Sequence, residues 1–345
     1  MFFSILLMVA APNSPVQSDI QDTTPETAAQ LKKGVGAILR ADTAEARALL
    51  MQIPEQELDK EDRQFRTCAL SRLGPFQARI EHNHHFEEAL LARYRQYWNE
   101  AAAAGADRDR LEDALRTDLA NMLHLERSAQ WDSVEAALVA ALGKRGYHAQ
   151  LGRTGLLREL MVWRKQIEKR EQVDLPGGTT QTLVTYLDDF DSRGWSSWFT
   201  CDRTGTGGWT TDEGLFVIVP AYKSLDDEHF RINFLAHESQ HFADKARYSG
   251  LANWELEYRA KLVEVALADT TLVRVLDGFA ANQSGNPDEP HSFANRMVLE
   301  ALRARLGCAE GASLATVPAE KVKAAALGEL AADTDARESA DDATP

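Results

Sequence analysis

Between residues 28 and 170 apolar side chains recur at intervals of three and four, as in Leu31, Val35, Ile38 and Leu39 and again in Leu90, Tyr94 and Trp98. That spacing keeps one face of a helix apolar. It predicts helices through this stretch, including segments near 107–125, 131–143 and 153–171, with breaks at Pro54, Gly74-Pro75, Gly105 and between Gly143 and Gly146. At Val173 the texture changes. Pro176-Gly177-Gly178 reads as a turn, and residues 179–186, 195–200 and 215–219 read as strands. Gly205, Gly207 and Gly208 lack the Lys of a phosphate loop and read as a hairpin turn. Beyond Pro220 the pattern is helical again, over 226–249 with Gly250 as the stop, over 253–276, and near 291–306.

These patterns predict a predominantly helical α+β fold. The expected organisation is a signal peptide and polar spacer over 1–25, a helical domain over 26–172, a domain with a small sheet over 173–310, and an Ala-rich tail over 311–345, disordered apart from at most one weak helix. A chain of 345 residues, 44% hydrophobic, can bury a full core without a disulfide scaffold. No apolar run is long enough to span a bilayer, so integral membrane association is not expected. The net charge of −15 repels phosphate backbones, and the basic residues are interleaved with acidic ones, so no nucleic-acid partner is expected. The first eleven residues are almost wholly apolar and are followed by polar residues and Pro12, a pattern resembling a secretory signal. The expected location is therefore exported, periplasmic or secreted. Cys68, Cys201 and Cys308 form no CxxC pair, and export would allow one disulfide with one thiol left over, the pairing open.

The chemical signal is His237-Glu238-Ser239-Gln240-His241, an H-E-x-x-H inside the helix expected at 226–249. Residues four apart lie on one helical face, so both imidazoles can bind one Zn²⁺. Glu238 projects about 100° round from His237, beside the metal, where it can relay a proton from water to a leaving amine. Apolar residues ahead of the motif (Phe230, Ile232, Phe234, Leu235) predict a buried helix. Two histidines and a glutamate there are costly without a partner. A metal supplies one; satisfied core histidines are the alternative.

The longer metzincin pattern is absent, because Asp244 and Arg247 stand where its Gly and third His would be. Glu257-Tyr258-Arg259-Ala260, on the following expected helix, resembles the gluzincin branch of zinc metallopeptidases, in which a Glu on a later helix completes the site. The resemblance covers roughly residues 215–265 and implies a zincin-like catalytic domain over 173–310, with Glu257 as third ligand and one zinc per chain. Ala260 is small enough to let two helices approach, and Glu255 points about 200° away from Glu257. Candidate supporting groups are Asp244, seven residues on from His237 and able to orient an imidazole, and Glu264, seven residues on from Glu257 and so on that helix's metal-side face. Tyr248, Tyr258 and His291 are candidates for the oxyanion role that gluzincins fill with a Tyr or a His. His82-Asn83-His84-His85 reads as a polar helix start rather than a second metal site, His229 carries no role, and Trp195, Trp198 and Trp209 read as core residues or a cleft lining. The expected function is a zinc-dependent hydrolase acting on a peptide or protein substrate. The alternative is a noncatalytic exported binding or scaffold protein with a structural or vestigial metal site.

Overall fold

The computed structural model describes residues 23–75, 85–211, 213–248 and 250–341. Most of the expected signal peptide and spacer, and His82, Asn83 and His84, lie outside the described residues. The chain is predominantly helical with a five-stranded sheet, an α+β fold. In order come α1 (Pro25–Leu39), α2 (Thr43–Met51), α3 (Lys60–Arg72), α4 (Phe86–Ala101), α5 (Arg108–Met122) and α6 (Trp131–Gly143), then β1 (His148–Thr154), β2 (Leu157–Leu175) and β3 (Gly178–Arg193). α7 (Trp195–Phe199), β4 (Gly208–Thr210), β5 (Leu215–Ile218) and α8 (Glu228–Phe230) follow. A π-helical segment (Arg231–Ala236) runs into α9 (His237–Arg247), followed by α10 (Asn253–Leu267), α11 (Leu272–Ala281), α12 (Pro290–Leu306) and α13 (Ala319–Asp341). The sheet order is β1-β2-β3-β5-β4.

Local chemistry starts and stops these helices as expected. Asp42, Asp59 and Asp107 each accept a backbone N–H of the first turn that follows, the usual role of an N-cap carboxylate. Pro290 opens α12, and Gly307, at φ +67°, closes it in the left-handed conformation. His85 precedes α4 with extended backbone, which fits a polar helix start.

The domain boundaries differ from expectation. Described residues up to Ile167, with 186–209 and 217–221, form one compact unit; 168–185, 210–216 and the residues from Tyr222 onward form the second. The long strands β2 and β3 therefore belong partly to each, and no boundary falls at 172. The first unit encloses an apolar core that includes Leu31, Leu50, Leu90, Tyr94, Trp98, Leu119 and Leu138. Cys68 and Cys201 are bonded within it, with Cα atoms 6.3 Å apart, and Cys308 is free.

Four expected elements are corrected. The helix expected at 153–171 is the β1–β2 hairpin, turned at Gly155 (φ +58°), with Thr154 opposite Leu157 and Leu151 opposite Leu160. The first residues of β2 are buried almost throughout, so they show no alternation, and Leu157, Leu160 and Met161 mimic helical spacing. Strand pairing overrides that propensity. Residues 195–199 form α7 rather than a strand, after Gly194 at φ +92° and with the Trp195 N–H held by Glu159 at 3.1 Å. The helix expected at 253–276 is broken into α10 and α11, because the Glu228 carboxylate takes the backbone N–H groups of Asp269, Thr270 and Thr271. The 311–345 tail, expected to hold at most one weak helix and a disordered terminus, carries the 23-residue α13, which buries Val322, Ala325, Ala326 and Leu330. The stretch holding Gly205, Gly207 and Gly208 leads into β4, and the β4–β5 turn is closed by the Thr211 N–H bonding to the Gly214 carbonyl.

Candidate metal centre

The site lies wholly within the second unit, on α9 and α10. The π-helical segment delivers the chain into α9, and such expanded turns are frequent at functional sites. His237 and His241 stand one above the other on α9, both buried. Their Nε2 atoms are 3.1 Å apart. Across from them on α10 is Glu257, also buried, with Oε1 3.3 Å from His241 Nε2 and Oε2 3.5 Å from His237 Nε2. Two nitrogens each at about 2.0–2.1 Å from one tetrahedral ion would be separated by about 3.3 Å. The three measured separations bracket that value. Glu257 Oε2 is buried and makes no aligned hydrogen bond, and one ligand atom from each residue lies within 4.8 Å of the others. The three side chains could therefore hold one metal ion, and among the described residues they are the group that could.

The surrounding carboxylates orient the rings. Glu264, seven residues after Glu257 on α10, meets His237 Nδ1 at 2.5 Å. That contact fixes the proton on Nδ1 and turns the Nε2 lone pair toward the cluster, the arrangement common behind metal-bound imidazoles. Asn233 Nδ2 donates to the other oxygen of Glu264 at 3.3 Å. Burial would lower the His237 pKa, but Glu264 and Glu257 outweigh it and raise it to about 10. Burial would likewise raise the Glu257 carboxyl, yet the imidazoles of His237, His241 and His291 beside it hold it well below the usual carboxylate range.

Glu238 is buried beside the ligands. Thr210, at the end of β4, donates to its Oε2 at 2.6 Å and leaves Oε1 as the less encumbered oxygen. The next residue, Ser239, accepts from Thr182 of β3 at 2.8 Å, which pins α9 against that strand. Burial, together with the charges of Glu238 and Asp227, raises the Tyr222 hydroxyl pKa well above its ordinary value.

Of the supporting candidates, Glu264 and His291 are brought to the cluster. His291, in the first turn of α12 and 43% exposed, has Nδ1 2.8 Å from Glu257 Oε2. Asp244 does not reach an imidazole; it accepts from Gln240 at 2.8 Å and faces Arg259 at 3.0 Å. Tyr248 lies against the Arg259 guanidinium, 5.1 Å from ring centre to carbon. Tyr258 faces α13 instead, where burial and the nearby Glu329 and Asp333 push its hydroxyl up to about 12. Glu255 Oε2 accepts the Ala252 N–H at the start of α10 and Oε1 accepts from Arg337, so it is not a ligand. His229 pairs with Arg274 at 2.9 Å. Trp195 and Trp209 are buried and Trp198 packs against the first unit's core.

Three contributors had gone unread in the sequence. Asn233 is one turn before His237, and Lys261 is one turn after Glu257 with Nζ 3.6 Å from its Oε2, so helical spacing alone could have nominated both. Thr210 comes from a distant strand, and nothing in the sequence marks it. Compared with known proteins, the chain matches no family model, no curated protein and no solved structure.

Proposed function

We propose that the protein is a zinc-dependent hydrolase that cleaves peptide amide bonds. His237, His241 and Glu257 would hold the ion, and His237 would be held in its productive tautomer by Glu264. Bound there, zinc would polarise the scissile carbonyl and acidify a water. Glu238 takes the proton from the attacking water on its carboxylate and returns it to the leaving amine, while Thr210, bonded to Oε2, keeps the carboxylate from turning away. His291, half-exposed at the edge of the cluster, is within reach of charge developing on the carbonyl oxygen.

The observation that carries this reading is the buried Glu238 tethered next to two converging imidazoles. A structural metal site has no need of a second, non-ligating carboxylate beside its Glu257 ligand in that place, and this disfavours the scaffold reading. The likeness to gluzincins in the HExxH and the later Glu supports the same assignment. The bonded Cys68–Cys201 pair is in keeping with an exported chain. Among the described residues no helix is long and apolar enough to cross a membrane.

The test is Glu238→Gln. Proteolysis of a denatured protein substrate should fall by about 10²–10⁴-fold, with zinc content unchanged at about one per chain. A variant that keeps its activity overturns the mechanism.

A further inference from the structure

The buried charges of α10 continue past the ligands. Arg259, two residues after Glu257, is 3% exposed. Its Nε faces Asp244 Oδ2 on α9 at 3.0 Å, without the alignment of a hydrogen bond, so the contact is one of charge. Its Nη1 donates to Asp333 on α13, and both terminal nitrogens reach Thr334 Oγ1 at 3.3 Å. Asp333 is shared with Arg337, which also donates to Glu255 in the first turn of α10 at 3.0 Å. On α9, Gln240 donates to Asp244 at 2.8 Å. One continuous line of charges thus joins α9, α10 and α13.

Its position relative to the ligands is what matters. Asp244 is three residues beyond His241, and Arg259 two beyond Glu257, so the crosslink sits within one turn of both. It holds together the two helices whose separation brings the carboxylate to the imidazoles. A buried guanidinium that loses one of its two carboxylates must shift or admit water, because an unpaired charge is costly there. Ligand placement off by tenths of an ångström weakens a metal site.

We propose that α13 is part of the frame of the metal centre, with Arg259 and Asp333 as positioning residues, so that docking of this helix regulates how tightly the site holds a divalent cation. This rests on the reading of His237, His241 and Glu257 as a cation site. Coupling of this kind is reciprocal: if α13 docking strengthens cation binding, cation binding strengthens α13 docking by the same factor.

The experiment uses the full chain with Zn²⁺ and Co²⁺ as probes. Affinity is measured by chelator competition, and the cobalt absorption bands report ligand geometry. Asp333→Asn should weaken binding by about tenfold or more and shift the cobalt bands. Arg259→Lys keeps the charge but loses the fork that spans both carboxylates, and should do the same. Glu329→Gln breaks a pair between Glu329 of α13 and Arg305 of α12, at 2.6 Å and away from Arg259, and should leave affinity within about twofold, which separates positioning by Arg259 and Asp333 from general loosening. Hydrogen exchange on the unaltered protein decides the matter if a variant does not fold: adding Zn²⁺ should slow amide exchange around Asp333 as well as in α9 and α10. Wild-type protein that binds Zn²⁺ while the first two variants match its affinity and cobalt spectrum, or protection that stops short of α13, overturns this inference alone. Wild-type protein that binds neither ion overturns the cation reading and this inference with it.

Discussion

Helices α4 and α10 are of nearly equal length, 16 and 15 residues, and both are central to their units, yet they bury opposite chemistry. α4 buries Leu90, Tyr94, Tyr97, Trp98 and Ala101. α10 buries Leu256, Ala260, Leu262 and Val263 but also Glu257, Arg259, Lys261 and Glu264. The first arrangement stabilises by removing apolar surface from water. The second places four ionisable side chains where burial is unfavourable unless each is paired, and each is: Glu257 with three imidazoles and Lys261, Glu264 with His237, Arg259 with two aspartates. A helix buried all round for stability alone would be expected to resemble α4. The charged face of α10 is what the proposed cation site is built on.

Removing the best-packed side chain of α4 sharpens the contrast most. Trp98 is fully buried and its Nε1 donates to the Arg158 carbonyl at 2.8 Å. Trp98→Ala should cost about 3–5 kcal/mol in urea unfolding, while zinc affinity of the remaining folded protein stays unchanged. A comparable loss of zinc affinity would break the division of labour between the two helices.

Glu159 is a buried acid of the first unit, and it sits among backbone donors instead of ligands: the N–H groups of Trp195 and Leu160. Burial outweighs them and raises its pKa from the usual 4.5 to about 7. A raised carboxyl pKa means that the folded state binds the proton more tightly than the unfolded chain. Its stabilisation is present below about pH 4.5 and is lost as pH rises through about 7. Relative to Glu159→Gln, wild-type stability should fall across that window by up to about 3 kcal/mol. Parallel pH profiles for the two proteins would show that folding leaves the Glu159 pKa unshifted.

The smallest effect belongs to the group behind His237. Glu264→Gln retains shape and the contact to Asn233 but weakens the hold on Nδ1, and zinc affinity should drop about 10–100-fold with little change in thermal stability. Unchanged affinity would reduce Glu264 to a packing residue.

How much of this was legible depended on whether a residue's partner lay within one helix. His237, Glu238 and His241 were readable because their spacing is the helical period, and Glu257 and Glu264 because they repeat on one face of the next helix. The α5 and α6 helices were readable for the same reason. β2 was misread since its opening residues are buried almost throughout and its Leu, Glu, Arg and Lys are good helix formers. The α13 helix read only as a weak one because its Ala-rich sequence shows little contrast between faces; what anchors it is Asp333 and Arg337 pairing with residues on α10 some 74 and 82 positions earlier. Thr210 and Thr182 act on α9 from strands, across 28 and 57 residues, and no local pattern announces such contacts.

The most direct measurement is the metal content of the purified full-length protein and of His241→Ala, by elemental analysis after exhaustive dialysis. One zinc per wild-type chain and none in the variant is the predicted result. A folded wild-type chain that retains no zinc and takes up none when it is supplied would contradict it.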